Sequence, residues 1–316
     1  MTTDEEVPGF WEREGRSLNA AVAVALTCVG ALYFTAQSII MFVVEVLMML
    51  FHGSTPRGER LLDIMRQLME DYANPVRTVL FVTQFLFILA PVIWIVRRGH
   101  TQHVAGYIRL KRPRWLLVAL AMLATLATLP LNILLSTFFS RLIGMPPELE
   151  EIGAILFTAH SVPELLWLVL VIGVTPGICE EVLFRGYAQR TLARTIGWKA
   201  ILVIGLVFGL YHMQPLGLVT LAGMGMLFGM FFHRSDNLFP SMAAHFANNT
   251  AIVLLYYFAS GNPEVNAFVS GGMDPYVLTA STILAAASCM VYWILTKRQG
   301  TDSRQGIDVS GTPVQA

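Results

Sequence analysis

Charge is scarce in this chain. Asp, Glu, Lys and Arg make up 13% of its 316 residues, and 21 basic side chains balance 21 acidic ones to a formal net charge of zero. With no basic surplus to neutralise phosphates, nucleic acid is excluded as a partner on electrostatic grounds. Cysteine is almost missing. Cys28, Cys179 and Cys289 all fall inside apolar runs, where they act as small hydrophobes and supply neither a disulfide framework nor a thiolate cluster. No internal repeat and no second soluble domain can be traced. The first apolar run follows about eighteen polar residues and lacks a small-residue cleavage site, so it is expected to stay as an anchor and not to be a removable signal.

What is present is apolar side chain. Hydrophobic residues account for 55% of the sequence and the mean hydropathy is +0.61, with several runs approaching the ~20 residues that cross a bilayer. The expected fold is all-α, a polytopic transmembrane helix bundle of about eight spans, at 20–44, 78–96, 115–138, 164–190, 198–213, 216–233, 238–259 and 276–296. The first run continues to Phe51, longer than a ~30 Å hydrocarbon core, so Glu45 is expected as a boundary charge at its outer end. Residues 52–77 form a polar, weakly amphipathic connection suited to a membrane surface. Basic residues collect at 97–114, 190–199, 234 and 297–298, whereas "GMPPELEE" (144–151) is acidic and "GNPEVNAFVSGGMDP" (261–275) has no basic residue. That alternation predicts cytoplasmic termini, although the four arginines of the 52–77 connection, whose charges are mixed, fit it poorly.

An ionised side chain near the bilayer centre costs about 2.5–3.5 kcal/mol on the insertion scale, so intramembrane charge calls for a partner and a task. Three groups stand out. In "EEVLFR" (180–185), Glu181 and Arg185 are spaced i, i+4 on one face, leaving Glu180 about 100° away. In "FGLYH" (208–212), His212 ends an apolar helix. In "HFANN" (245–249), His245 and Asn249 share a face. The other histidines, His52, His100, His103, His160 and His233, sit at loops or helix ends, where solvent accounts for them. The bland reading of the Glu180 group is a helix end among lipid headgroups. Counting back from the cytoplasmic ends at ~1.5 Å per residue places Glu180, His212 and His245 within about two turns of one level, provided Arg185 lies inside the bundle paired with Glu181.

The chemistry open to such a set is hydrolysis. A desolvated carboxylate suits a general base near neutral pH, and it could activate a water opposite an imidazole while a second histidine and an amide hydrogen-bond the developing oxyanion. Zinc held by Glu180, His212 and His245 is the rival use; Asn249 is a poor zinc ligand, which favours a site with no cofactor. The chain has no HExxH and no GxGD. Ser270 lies in an expected external loop, and burial among apolar groups makes a thiol such as Cys179 inert.

The ordered triple EExxxR, FxxxH, HxxxN on successive helices resembles the CPBP family of intramembrane proteases, which contains the type II CAAX prenyl endopeptidases and the Abi and bacteriocin-processing proteins. The resemblance covers about residues 160–260. It implies an endopeptidase in which Glu180 is the water-activating base assisted by His212, His245 and Asn249 form the oxyanion hole, and Glu181 and Arg185 support the site; it leaves a metal open. It further implies a membrane-associated protein or peptide as substrate. The corresponding organisation is a polar N-terminal segment 1–18, helices and loops 19–159, a CPBP-like catalytic core 160–260, an external loop and last span 261–298 and a disordered cytoplasmic tail 299–316, in a bacterial inner membrane. The competing class is a non-enzymatic membrane protein that uses the same polar cavity for binding, transport or an immunity or scaffold role; discontinuous, pseudo-symmetric halves would favour transport, and none is traced.

Overall fold

A computed structural model describes residues 9–52, 61–144, 146–214, 217–259 and 261–296. Helices account for nearly all of it, in the order α1 (Phe10–Arg13), α2 (Leu18–His52), α3 (residues 61–100), α4 (Val104–Tyr107), α5 (Trp115–Ile143), α6 (Pro147–Ile155), α7 (residues 162–196), α8 (Ala200–Tyr211), α9 (Leu218–Ser235), α10 (Phe239–Ala259), α11 (Pro263–Val269) and α12 (Pro275–Leu295). The side chain of Glu45 and residues 299–316 lie outside the described residues.

The eight expected spans fall largely on helix, and among the described residues five stretches are long and apolar enough to cross a membrane: Leu18–Val43, Met69–His100, Trp115–Ile143, Val162–Tyr211 and Pro275–Leu295. The protein is an integral membrane protein of all-α architecture. The count differs for two reasons. The expected fourth and fifth spans lie in one stretch, broken at Gly197, whose φ of 60° and ψ of −138° no helix accommodates. Meanwhile α9 ends in His233 and Arg234, and α10 carries His245, Asn248 and Asn249, which lower their hydropathy.

The polar connection expected at 52–77 is instead helical from Leu61. Its apolar residues recur every three to four positions, which is a helical period, and the low hydropathy of the stretch hid that. The helix kinks at Tyr72 (φ −122°, ψ 18°), three residues before Pro75, because proline removes one hydrogen bond and its ring displaces the preceding turn. Another expectation fails at His100. Expected in solvent, it is buried, and its Nδ1 lies 3.0 Å from Glu12 Oε1. Arg194 Nη2 reaches the same carboxylate at 3.0 Å, and Gly9 N–H donates to His100 O at 2.7 Å, so α1 docks on the ends of α3 and α7. The Arg194 hydrogen bond holds the Glu12 carboxyl down to about 2 against the opposing effect of burial. This contact therefore stabilises the docked segment above the ordinary carboxylate range and is lost as pH falls toward 2.

Helix α7 is the centre of the bundle. Its Leu183, Phe184, Tyr187 and Ala188 pack against Val22, Ala25 and Val29 of α2, Ile88 and Val92 of α3, and Ile204 and Phe208 of α8. A second cluster joins Leu117, Ala121 and Ala124 of α5 to Met224, Phe228 and Phe231 of α9. Lipid is as apolar as these side chains, so close packing and hydrogen bonds, not water exclusion, must hold such helices together. The α8–α9 pair shows how. Gly205 and Gly209 on α8 and Gly225 and Gly229 on α9 are each four residues apart, the small-residue spacing that lets backbones approach. A Cβ at Gly225 would stand 2.8 Å from Gly205 O and 3.0 Å from its Cα, atoms that cannot swing aside, whereas one at Gly223 would meet nothing within 4 Å.

Gly225→Ala is accordingly expected to destabilise the bundle by about 1–3 kcal/mol through overpacking. Gly223→Ala should be neutral or slightly stabilising. Thermal denaturation of the purified variants in detergent measures both, and equal midpoints would contradict the close α8–α9 approach.

Candidate functional site

The site begins with interruptions in α7. Residues Val169–Val174 and Val182–Gln189 take π-helical turns, and Pro176 has no N–H to give to the carbonyl four residues back, that of Ile172. A carbonyl left unbonded inside a bundle needs another donor. Asn249 Nδ2 on α10 supplies it at 2.9 Å, and Asn248 Nδ2 donates to Asn249 Oδ1 at 3.0 Å. The HxxxN helix is thus tied to α7 by a backbone need as well as by side-chain chemistry.

One turn along α7, Glu181 and Arg185 are both fully buried, with Arg185 Nη1 2.6 Å from Glu181 Oε1. Protein, and not the surroundings of the bundle, encloses both partners of the pair. Three contacts complete the pair. His245 Nδ1 lies 2.9 Å from the same Glu181 oxygen. Arg185 Nη2 donates to Gly225 O at 2.9 Å, a carbonyl within reach because α9 has no side chain at that position. The guanidinium also lies 4.5 Å from the Phe208 ring centroid and 5.4 Å from that of Phe228, favourable cation–π placements in a dry site. One turn further, Gln189 Nε2 repeats the pattern on Gly229 O at 2.8 Å. The charge on Glu181 is therefore matched, and all four helices α7 to α10 take part.

Glu180 points elsewhere. Its Oε1 accepts from Gln84 Nε2 of α3 at 3.0 Å, and no cation lies within ion-pair distance of it among the described residues. His212 follows the last turn of α8; its Nδ1 lies 2.8 Å from Phe208 O, and its ring centroid is 4.7 Å from that of Phe208. A carbonyl only accepts, so Nδ1 carries the hydrogen and neutral His212 offers a lone pair at Nε2. His245 stacks on Phe228 at 5.1 Å and meets Phe208 edge-on at 5.6 Å. Phe208 thus stands between the two histidines.

Of the residues singled out in the sequence, Glu181, Arg185 and His245 are joined directly. Asn249 is bound to the α7 backbone. Glu180 and His212 share no hydrogen bond among the described residues; Glu180 is bonded to Gln84 of α3, outside that group, and His212 reaches the group through Phe208. Among the described residues, no three His, Cys, Asp or Glu side chains gather closely enough to hold a metal ion. Sequence reasoning overlooked Gln84, although a lone amide inside the apolar run 78–96 was visible, and it overlooked the glycine pairs of α8 and α9.

Removing the guanidinium tests this arrangement. Arg185→Ala leaves a buried carboxylate without its cation, an expected loss of about 3–5 kcal/mol, seen as lowered abundance in membranes. Adding Glu181→Gln should restore part of it by removing the stranded charge. Normal abundance of the single variant would show that the pair is dispensable to folding.

Comparison with known proteins bears on this core. Residues 162–251 match the family model described as type II CAAX prenyl endopeptidase Rce1-like. A 104-residue segment, 32% of the chain, is 30% identical to the uncharacterized protein YpbD of Bacillus subtilis (strain 168). The aligned part spans about half the length of that relative, 51%. No solved structure matches the chain. Glu180, Arg185, His212, His245 and Asn249 all lie inside the family match, which runs from the start of α7 into α10, so it is this helical core that is similar to the type II CAAX prenyl endopeptidase model.

Proposed function

We propose that the protein is an intramembrane endopeptidase that hydrolyses peptide bonds of membrane-associated proteins or peptides with a water activated by Glu180. The observation that carries this reading is the unequal fate of adjacent glutamates. Glu181 is neutralised by Arg185, while Glu180 has no cation within ion-pair distance among the described residues. In the reaction Glu180 Oε2 takes a proton from water as the water oxygen bonds to the scissile carbonyl carbon and the carbonyl electron pair moves onto oxygen. Collapse of that intermediate breaks the C–N bond, and Glu180 returns the proton to the leaving nitrogen, so one peptide bond and one water become a carboxyl group and an amine.

The oxyanion needs donors. His245 Nδ1 is engaged with Glu181, so its Nε2 donates to an oxyanion only from the doubly protonated ring. Asn249 has one amide hydrogen beyond the one given to Ile172 O. His212, with its Nε2 lone pair, assists removal of the water proton. No cofactor is needed for these steps. A peptide, a lipoprotein or a C-terminal sorting tail is the substrate class in view, in a bacterial inner membrane, where prenylated proteins are not expected.

Glu180→Gln keeps shape and removes the base. The variant should insert normally and lose turnover by about three or more orders of magnitude, with His212→Ala nearly as severe. His245→Ala and Asn249→Ala should each lower the rate about a hundred- to a thousandfold per folded molecule. The Glu180, His212 double variant should be little worse than either single one, because groups that act as a unit are not additive. Proteomic comparison of membranes holding wild type and Glu180→Gln would find the substrate, and the purified protein would be assayed on it. Undiminished cleavage by Glu180→Gln would overturn the mechanism, a chelator effect reversed by zinc would turn it into a metal site, and binding without cleavage would favour the non-enzymatic reading.

We also propose that both termini are cytoplasmic, from the basic loops at 97–114, 190–199 and 297–298. A reporter fused after Arg298 should read as cytoplasmic and one inserted near Pro263 as external. Both on one side would refute the orientation.

A further inference from the structure

The partner of Glu180 lies outside the core that carries the three motifs. Gln84 sits in α3, in the stretch Met69–His100, immediately before the π-helical turn Phe85–Leu89. It is buried, and its amide is the donor that α3 presents to the Glu180 carboxylate. The carboxylate fixes which way that amide faces, since the opposite orientation would set oxygen against oxygen.

Two further atoms at this junction are unmatched. Glu180 Oε2 and Gln84 Oε1 are both inaccessible, and neither takes a hydrogen bond from the described residues. Both are acceptors, so they cannot satisfy each other. The two unmatched oxygens belong to side chains already joined by the Gln84 Nε2–Glu180 Oε1 hydrogen bond, and a species with two hydrogens on a single atom would serve both. Water is that species. Held by both hydrogens, it turns its lone pairs away from the protein oxygens toward a bound carbonyl carbon, the orientation that nucleophilic attack requires.

We propose that Gln84 is a positioning residue of the hydrolytic site: its amide hydrogen aims the Glu180 carboxylate, and its carbonyl oxygen shares the attacking water with Glu180 Oε2. The assignment rests on the endopeptidase reading above. It makes α3 part of the catalytic machinery, so the core of α7 to α10 is incomplete without it. Glu180 takes one water proton, while the hydrogen on Gln84 stays on the attacking oxygen and becomes the hydrogen of the new carboxyl group.

The test uses the full-length protein in detergent or nanodiscs with Gln84→Met, which keeps length and loses both polar atoms, and Gln84→Asn, which draws the amide back by one methylene. On a peptide that wild type cleaves and Glu180→Gln does not, Gln84→Met should lower kcat about a hundredfold with KM unchanged, and Gln84→Asn should fall between. Infrared spectroscopy supplies a readout independent of turnover. The carboxylate stretching band assigned to Glu180, by its disappearance in Glu180→Gln, should shift in Gln84→Met because it has lost a hydrogen bond. An unchanged kcat, a change in KM alone or an unmoved band would overturn the assignment. Should Gln84→Met fail to accumulate, Gln84→Asn carries the same readouts. If wild type cleaves and Glu180→Gln does not, yet Gln84→Met matches wild type, only the assignment falls; if Glu180→Gln cleaves as wild type does, the endopeptidase mechanism falls first and the assignment with it.

Discussion

The ion pair between Glu181 and Arg185 has no water to fall back on. Both side chains are fully buried, and removing two charges from water is compensated only when geometry is good and the remaining polar atoms find partners. The surrounding structure meets most of that demand, leaving Glu181 Oε2 and Arg185 Nε without a partner among the described residues. Gly225 exposes a carbonyl to the guanidinium, Phe208 and Phe228 offer their ring faces, and His245 takes part of the carboxylate. Each of these contacts comes from a different helix than the pair itself. The packing of α8 on α9 through glycines, the placement of α10 and the depth of α7 are thereby constrained by one requirement, that a single buried carboxylate be matched.

That requirement explains why two acidic residues stand side by side in an apolar helix. Adjacent positions differ by about 100° around the axis, so one can face the bundle's internal cation while the other faces α3. The two environments differ accordingly. Glu181 has two nitrogen partners on one oxygen, and Glu180 has one neutral amide. Two like groups with unlike surroundings are the arrangement that separates a structural role from a chemical one.

Much of this was legible in the sequence, because it rests on local spacing. The Glu181–Arg185 pair follows from an i, i+4 separation, and the helical segments follow from apolar run length. The failures share a different cause. The helix from Leu61 was hidden by polar composition, although its period was helical. The burial of His100 depends on α1 folding back onto it, a contact between residues 88 positions apart. Gln84 went unnoticed because it is uncharged, and its partner Glu180 is 96 residues away. The π-helical turns of α7 cannot be read from propensity, since they depend on neighbours that accept the altered backbone.

Those turns give α7 a property of its own. A π turn carries an additional residue, and every residue added or removed turns all that follows by about 100° relative to what precedes. Between Leu168, packed with Val253, and Glu181, bonded to His245, the segment Val169–Val174 sets the angular phase between the two halves of the helix. The segment behaves as a vernier: its residue count, more than the identity of any side chain in it, determines which of the two neighbouring carboxylates faces α10 and which faces α3.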